Sequence, residues 1–112
     1  MTTVAKVLIP AKIAENAQTT QYTATGVKAR IDKFTATNYS AGAVTLSVNI
    51  VTAADAAGNA NLIVKTKTLQ AAETYGFPEL VGTLLEVGGF ISTIASAATS
   101  INIRANGVEI AP

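Results

Sequence analysis

The sequence predicts an all-β fold, a single antiparallel β-sandwich of about eight short strands. Apolar and polar residues alternate along several separate segments, as they do in strands that bury one face. Turn-forming residues separate these segments at nearly regular spacing, which is typical of sandwiches and barrels. The chain has 112 residues, the length of one domain, so we expect residues 1–112 to form one sandwich. A jelly roll and an immunoglobulin-like sandwich fit this pattern equally well.

The composition points away from several classes of function. Hydrophobic residues make up 49% of the chain and charged residues 13%, about half the usual charged share. A surface so poor in charge predicts that part of it is covered by other protein. The net charge of +1 gives no indication of a nucleic-acid partner or of an anionic membrane. The first apolar run, Val7–Ile9, is followed by Pro10 and is too short for a secretory signal.

The clearest predicted strand is AVTLSVNIVT. In this segment Val44, Leu46, Val48 and Ile50 point to one side, and the polar residues between them point to the other. Other strands are predicted, in chain order, from TVAKVLI, TTQYTAT at 19–25, VKARI, NLIVKTKTLQ and TSINIRANGVEI, the last with Ile101, Ile103 and Ala105 inward and Asn102 and Arg104 outward.

The alternation slips once, directly after VKARI. Ile31 is an inward position, and Lys33 then falls where the next inward residue is due, while Phe34 is apolar. One extra residue near Asp32–Lys33 restores the phase, and this is what a β-bulge does. We therefore predict a bulge at this point of the strand.

Ideal alternation assigns faces in two other strands. In NLIVKTKTLQ it places Lys65 and Lys67 on one face and Leu62 and Val64 on the other. In TVAKVLI it places Ala5, Val7 and Ile9 together and Lys6 opposite. Clusters of Gly, Pro, Asn, Asp and Ser predict the turns between strands. These clusters lie at 40–42, 53–61, 73–78, 88–89 and 106–107.

Residues 80–98 carry one charge, Glu86, in nineteen positions. A transmembrane helix needs roughly 20 apolar residues. Glu86 near the bilayer centre would cost about 2.5–3.5 kcal/mol, and glycine, serine and threonine dilute the hydrophobicity further. We expect two strands instead, LLEV and FISTIA, hinged at Gly88–Gly89. Such an apolar run predicts strands covered on both faces, with another subunit as one covering layer.

The residue types present leave little catalytic chemistry. The chain contains neither His nor Cys, which removes the usual general base, the Ser-His-Asp triad, thiol nucleophiles and thiolate metal sites. The acids are scattered along the sequence. In DAAGNAN, Asp55–Asn61, the oxygen atoms do not have Ca²⁺-loop spacing, so a turn is favoured. We expect a protein that is not an enzyme, with no catalytic residue, cofactor or metal.

Two aromatic residues provide the main candidate for a contact surface. Tyr75 and Phe77 lie in ETYGFPEL, where Gly76 and Pro78 predict a rigid turn. Rings that point outward would form a protein interface or a platform for glycans, whereas rings that point inward would cap the core. The predicted interface residues are Tyr75, Phe77, Lys65, Lys67 and Glu79.

A family resemblance rests on the order of motifs along residues 34–110. FTATNYSAGAVTLSVNIV contains Thr-Asn-x-Ser followed by Val-Thr-x-x-Val. The second half runs from LIVKTKTLQ through ETYGFPELVG and LLEVGG to INIRANGVE, which reads Ile-x-Ile-x-Ala-x-Gly-x-Glu. Together these motifs resemble the small β-sandwich virion proteins of tailed bacteriophages. Gly89 departs from the pattern, because such proteins often have Asp after the first glycine.

The resemblance implies a non-enzymatic structural protein of the virion, made in the host bacterial cytoplasm. Its partners would be other copies of itself and other virion proteins of the capsid or tail, with no nucleic acid and no membrane. Multicopy capsid decoration is the leading expectation, and a collar, tail or fibre-associated subunit is the first alternative. The second alternative, a small carbohydrate-binding sandwich, rests on the Tyr/Phe turn and the Asn-rich loop.

Overall fold

The computed structural model describes residues 2–112, which form nine strands in two antiparallel sheets. The predicted antiparallel sandwich is confirmed, and the number of strands is close to the eight expected. Within these residues no helix is long and apolar enough to span a membrane. One 3-10 turn, Asn59–Asn61, interrupts the β structure of the described part of the chain. The strands are β1 Thr2–Ile13, β2 Thr19–Thr23, β3 Lys28–Asn38, β4 Val44–Val51, β5 Leu62–Leu69, β6 Thr74–Gly76, β7 Leu84–Leu85, β8 Phe90–Ala95 and β9 Ile101–Ala111.

The strand order is that of a jelly roll. Sheet A has the order β1-β9-β3-β6, with β7 also paired to β3, and sheet B has the order β2-β8-β4-β5. The first four strands therefore pair with the last strands in reverse order: β4 with β5, β3 with β6, β2 with β8 and β1 with β9. This is one long hairpin rolled into two sheets, so the immunoglobulin-like alternative does not apply.

The core lies between the two sheets and consists of aliphatic side chains with two phenylalanines. From sheet A, Ile31, Phe34 and Ile103 are fully buried, and from sheet B, Leu46 and Ile91 face them. These are the inward positions of strands whose outward positions are polar. Alternation of this kind is what commits each strand to one face of a sandwich.

The predicted bulge in β3 is confirmed. The pairing of β3 with β9 shifts between Ile31 and Lys33, so Asp32 is the extra residue. Gly107 of β9 lies opposite Ile31, and a Cβ atom on Gly107 would lie 1.8 Å from the backbone oxygen of Arg30. Residues 106–107 are therefore not the predicted turn. Gly107 lies within β9 because only a glycine allows the two backbones to approach so closely.

The face assignment in β5 is corrected by the structure. Register shifts occur on both sides of Val64, and Thr66 adopts a positive φ of 45°. Lys67 pairs with the buried Leu46 and faces sheet A, whereas Lys65 lines the outer face of sheet B. The two lysines thus lie on opposite faces, because bulges reverse the phase of the alternation.

A second face assignment, in β1, also changes at a bulge. The pairing of β1 with β9 shifts between Val7 and Ile9. Val7 lies opposite Asn106 and is exposed, whereas Ile9 lies opposite Ala105 and is fully buried. The two residues therefore do not share a face, although ideal alternation predicts that they do.

Residues 80–98 form two strands, as predicted, and the strands belong to different sheets. β7 pairs with β3 in sheet A, and β8 lies between β2 and β4 in sheet B. Gly88, with a φ of 84°, makes the crossing possible. Glu86 is exposed and forms an ion pair of 3.4 Å with Lys28. The low charge of this segment therefore reflects a central strand and its crossover.

Candidate interaction surfaces

The Tyr75 corner, formed by Tyr75, Lys67 and Glu79, closes the sandwich where β6 and β5 form the free edges of the two sheets. β6 places Tyr75 opposite the buried Ala36 of β3. The Nζ atom of Lys67 lies 4.4 Å from the centre of the Tyr75 ring, a cation–π contact. The Tyr75 hydroxyl donates to both carboxylate oxygens of Glu79 at 3.2 Å. Desolvation, and then the hydrogen bond to Glu79, raise the pKa of Tyr75.

The side chain of Phe77 cannot contact a partner protein, because it is 0% exposed. It packs edge-on against Phe34 at 5.3 Å and against Tyr75 at 4.7 Å between ring centres. The inward alternative therefore holds for Phe77, which we remove from the candidate contact residues. Of the five predicted interface residues, the structure brings together Tyr75, Lys67 and Glu79, and it separates Lys65 from them.

The loop that contains DAAGNAN folds back over the outer face of sheet B. Asn49 of β4 is 3% exposed, and its Nδ2 atom donates to the Gly58 oxygen and to Asn61 Oδ1. The same Asn61 oxygen accepts the backbone N–H of Gly58, and Asn61 Nδ2 donates to Ala56. These bonds assign the loop's amides to turn formation, in agreement with the sequence-based interpretation.

A polar groove of about 210 Å³ lies beside this loop. It is lined by Gln18, Asn49, Asn59, Lys65 and Thr66, among other residues. Gln18 Nε2 donates to Ser92 Oγ of β8 at 2.7 Å and so covers part of this sheet face. The outer face of β8 is therefore partly covered by the chain itself, although the sequence predicts a neighbouring subunit there.

Each acidic side chain contacts its own partner, and the acids do not form a cluster within residues 2–112. Lys12 and then Gln21 donate to the Glu15 carboxylate and lower its pKa. Within residues 2–112 no three acids gather into a group that could hold a metal. The other acids contact a cation, a tyrosine hydroxyl or a backbone N–H: Asp32 with Arg30, Asp55 with Ala56, Glu73 with Gln70, Glu79 with Tyr75, Glu86 with Lys28, and Glu109 with Lys6 and Tyr22.

The surface that sequence reasoning misses is the end of sheet A, which we call the arm. It consists of Thr2–Val7 of β1 paired with Asn106–Ala111 of β9. Every side chain of Thr2–Val7 is exposed, on both faces of the strand, and Val4 is 53% exposed. Period-2 alternation predicts one buried face here, but no second layer formed by residues 2–112 covers this segment.

The arm combines apolar surface with one partly exposed ion pair. Lys6 Nζ lies 3.4 Å from Glu109 Oε1, and the Tyr22 hydroxyl donates to Glu109 Oε2. Burial, followed by this hydrogen bond, raises the pKa of Tyr22. Beside the arm lies an apolar hollow of about 290 Å³, lined by Lys28, Val87, Ile110, Ala111 and Pro112. Leu84, 48% exposed, lies in the same sheet.

Comparisons of the chain with protein-family models, with curated proteins and with solved structures found no match.

Proposed function

We propose that this chain is a non-enzymatic structural subunit of a tailed-phage virion, most simply a multicopy capsid decoration protein. It acts through contacts with other copies of itself and with other virion proteins. A position at the collar, tail or fibre is the alternative within the same class. The resemblance of residues 34–110 to small virion proteins favours this class, and the jelly-roll order agrees with it by analogy of fold.

The arm is the observation that carries the proposal. Thr2–Val7 is exposed on both faces, and the hollow beside it exposes Val87, 53% exposed, next to Ile110. The apolar lining of the hollow, formed by Val87, Ile110, Ala111 and Pro112, is the kind of contiguous surface that marks protein–protein contact sites. Lys28 and Glu86 pair at the edge of the hollow. An apolar centre bordered by charged groups is the usual anatomy of a protein interface.

The test is binding to particles that lack the chain. Capsids and tails are purified separately from a phage with this gene deleted, mixed with the purified protein and sedimented. We expect co-sedimentation with one of the two, which also distinguishes capsid decoration from a tail position. Protein that stays in the supernatant with both particles would contradict the proposal.

A matched pair of variants identifies the surface used. Val87→Asp places a charge in the hollow beside the arm, and we expect it to abolish co-sedimentation, because an unpaired charge is costly to bury. Ile63→Asp is the control, since Ile63 is 48% exposed in β5 and lies outside the arm. Equal particle binding by both variants would show that the hollow beside the arm is not part of the contact surface.

A carbohydrate-binding module is the second candidate function, and the polar groove beside DAAGNAN favours it. Its amide, hydroxyl and ammonium groups suit sugar hydroxyls. Tyr75 suits this function less well, because Lys67 lies over its ring and Phe77 packs against it. On a glycan array, binding lost in Lys65→Ala and kept in Tyr75→Ala would support the groove, and an array without binding would dispose of this candidate.

A further inference from the structure

Most of the free sheet edges in residues 2–112 are protected against pairing with another chain. The edges β6 and β7 have three and two residues. The edge β2 has five residues and a register shift beside Gln21, and β5 has two shifts and carries Lys65 and Lys67. Short strands, bulges and lysines are the features by which native sheets block edge-to-edge pairing.

β1 is protected over one half only. From Leu8 onward it has two register shifts, and Pro10 lacks the N–H that pairing needs. By contrast, Thr2–Val7 pairs with β9 in an unbroken register of six residues. Its other edge carries alternate backbone N–H and C=O groups, and no strand of the described residues lies beside them. Within the described chain, this is the one regular edge segment longer than three residues.

We propose that Thr2–Val7 pairs antiparallel with the same segment of a second copy, across a twofold axis at Ala5. The two A sheets then form one continuous sheet. Thr2–Val7 would then be the surface that joins two copies within the proposed virion role. The pairing itself does not depend on that role, but its biological purpose does.

Charge complementarity favours a second copy and selects the register. With the axis at Ala5, Lys6 of the second copy lies opposite Val4, whose neighbour on β9 is Glu109. All three side chains point to the same face, so each Glu109 carboxylate gains a second lysine besides its own Lys6 at 3.4 Å. An axis at Lys6 would place two ammonium groups directly opposite each other, which is unfavourable.

The geometry allows this pairing without a collision of the two sandwiches. In this register the numbers of two directly opposite residues sum to ten. Thr3–Val7 therefore pairs with the same residues of the second copy, and Thr2 lies opposite Leu8. The β1 strands continue away from each other beyond it, and the two bodies lie at opposite ends of the shared sheet. Val4 gains Lys6 and Val7 gains Thr3 of the second copy as cross-strand neighbours, and the aliphatic carbons of these neighbours cover part of the exposed valine side chains.

The absence of cysteine makes the test direct. Single-cysteine variants are made at Thr3, Val4, Ala5 and Val7, and at Thr68, an exposed residue of the edge strand β5, as the matched control. Only a residue on a twofold axis faces its own copy at the distance that a disulfide requires. Intermolecular oxidation is therefore expected to be fastest for Ala5→Cys. Rates are normalised to the reactivity of each thiol with a small reagent, and unfolding curves under reducing conditions verify the fold.

Light scattering of the unmodified protein completes the test, with twice the chain mass as the expected result. A monomer, or cross-linking at Ala5 no faster than at Thr68, would overturn the pairing. Its failure is distinguishable from failure of the proposed function. A monomer that co-sediments with particles rules out only the pairing, and a dimer that binds no particle rules out only the virion role.

Discussion

Phe77 is the middle one of three packed aromatic rings at the β6 edge of the core. It lies between Phe34 and Tyr75, and its backbone N–H donates to the Phe34 oxygen at 2.9 Å. We predict that Phe77→Ala lowers the free energy of unfolding by about 3–5 kcal/mol, since it leaves a cavity that the rigid sheets fill poorly. Urea unfolding measures the change. Tyr39→Ala, at an exposed ring, is the control, and an equal loss in both variants would contradict the prediction.

At Gly107 two backbones of sheet A approach too closely to leave room for a side chain. A Cβ atom there would meet the Arg30 oxygen at 1.8 Å, and a backbone atom in a sheet cannot move aside as a side chain can. We predict that Gly107→Ala costs at least about 3 kcal/mol of unfolding free energy or prevents folding. Gly42→Ala is the matched control, because Gly42 has open space around it. Chemical unfolding of the two variants should differ by this amount.

At the scale of strands, the sequence reveals a bulge only when it shifts an apolar pattern. The Asp32 bulge is predictable because a lysine falls where an apolar residue is due and a phenylalanine follows. The β5 bulges are not predictable, because KTKT reads as regular alternation in either phase. The sequence therefore places Lys65 and Lys67 on the same face of the strand, whereas in the structure they lie on opposite faces.

The loop over sheet B depends on a side chain from a strand. Asn49 holds this loop through two hydrogen bonds, to Gly58 and Asn61. We predict that Asn49→Ala lowers the free energy of unfolding by about 1–3 kcal/mol, because it removes two hydrogen bonds that are worth about 0.5–1.5 kcal/mol each. Amide hydrogen exchange should accelerate at residues 52–61 before the rest of the chain. Asn59→Ala, at an exposed position of the same loop, is the control. Equal exchange in both variants would show that Asn49 does not hold the loop.

For the whole molecule, the sequence determines the class of fold but not the arrangement of the strands. Period-2 alternation is local, and it identifies β4, β5 and β9 well. Strand order depends on pairings between distant segments, such as β1 with β9, which local patterns do not encode. The arm cannot be predicted from the sequence for the same reason. The residue pattern of a strand is the same whether or not a second layer covers that strand.

Tyr22 and Glu109 connect the two sheets, because Tyr22 belongs to β2 of sheet B and Glu109 to β9 of sheet A. The folded state raises the pKa of the Tyr22 hydroxyl above its usual value. The contribution of this hydroxyl to stability is therefore complete below about pH 10 and declines as the pH rises further.

We predict that Tyr22→Phe costs about 1–2 kcal/mol of unfolding free energy at neutral pH, through loss of the hydrogen bond to the charged Glu109. It should also flatten the decline of unfolding free energy above about pH 10. Urea unfolding at a series of pH values measures both effects. Tyr39→Phe is the matched control, and a Tyr22→Phe curve that coincides with the control curve would contradict the prediction.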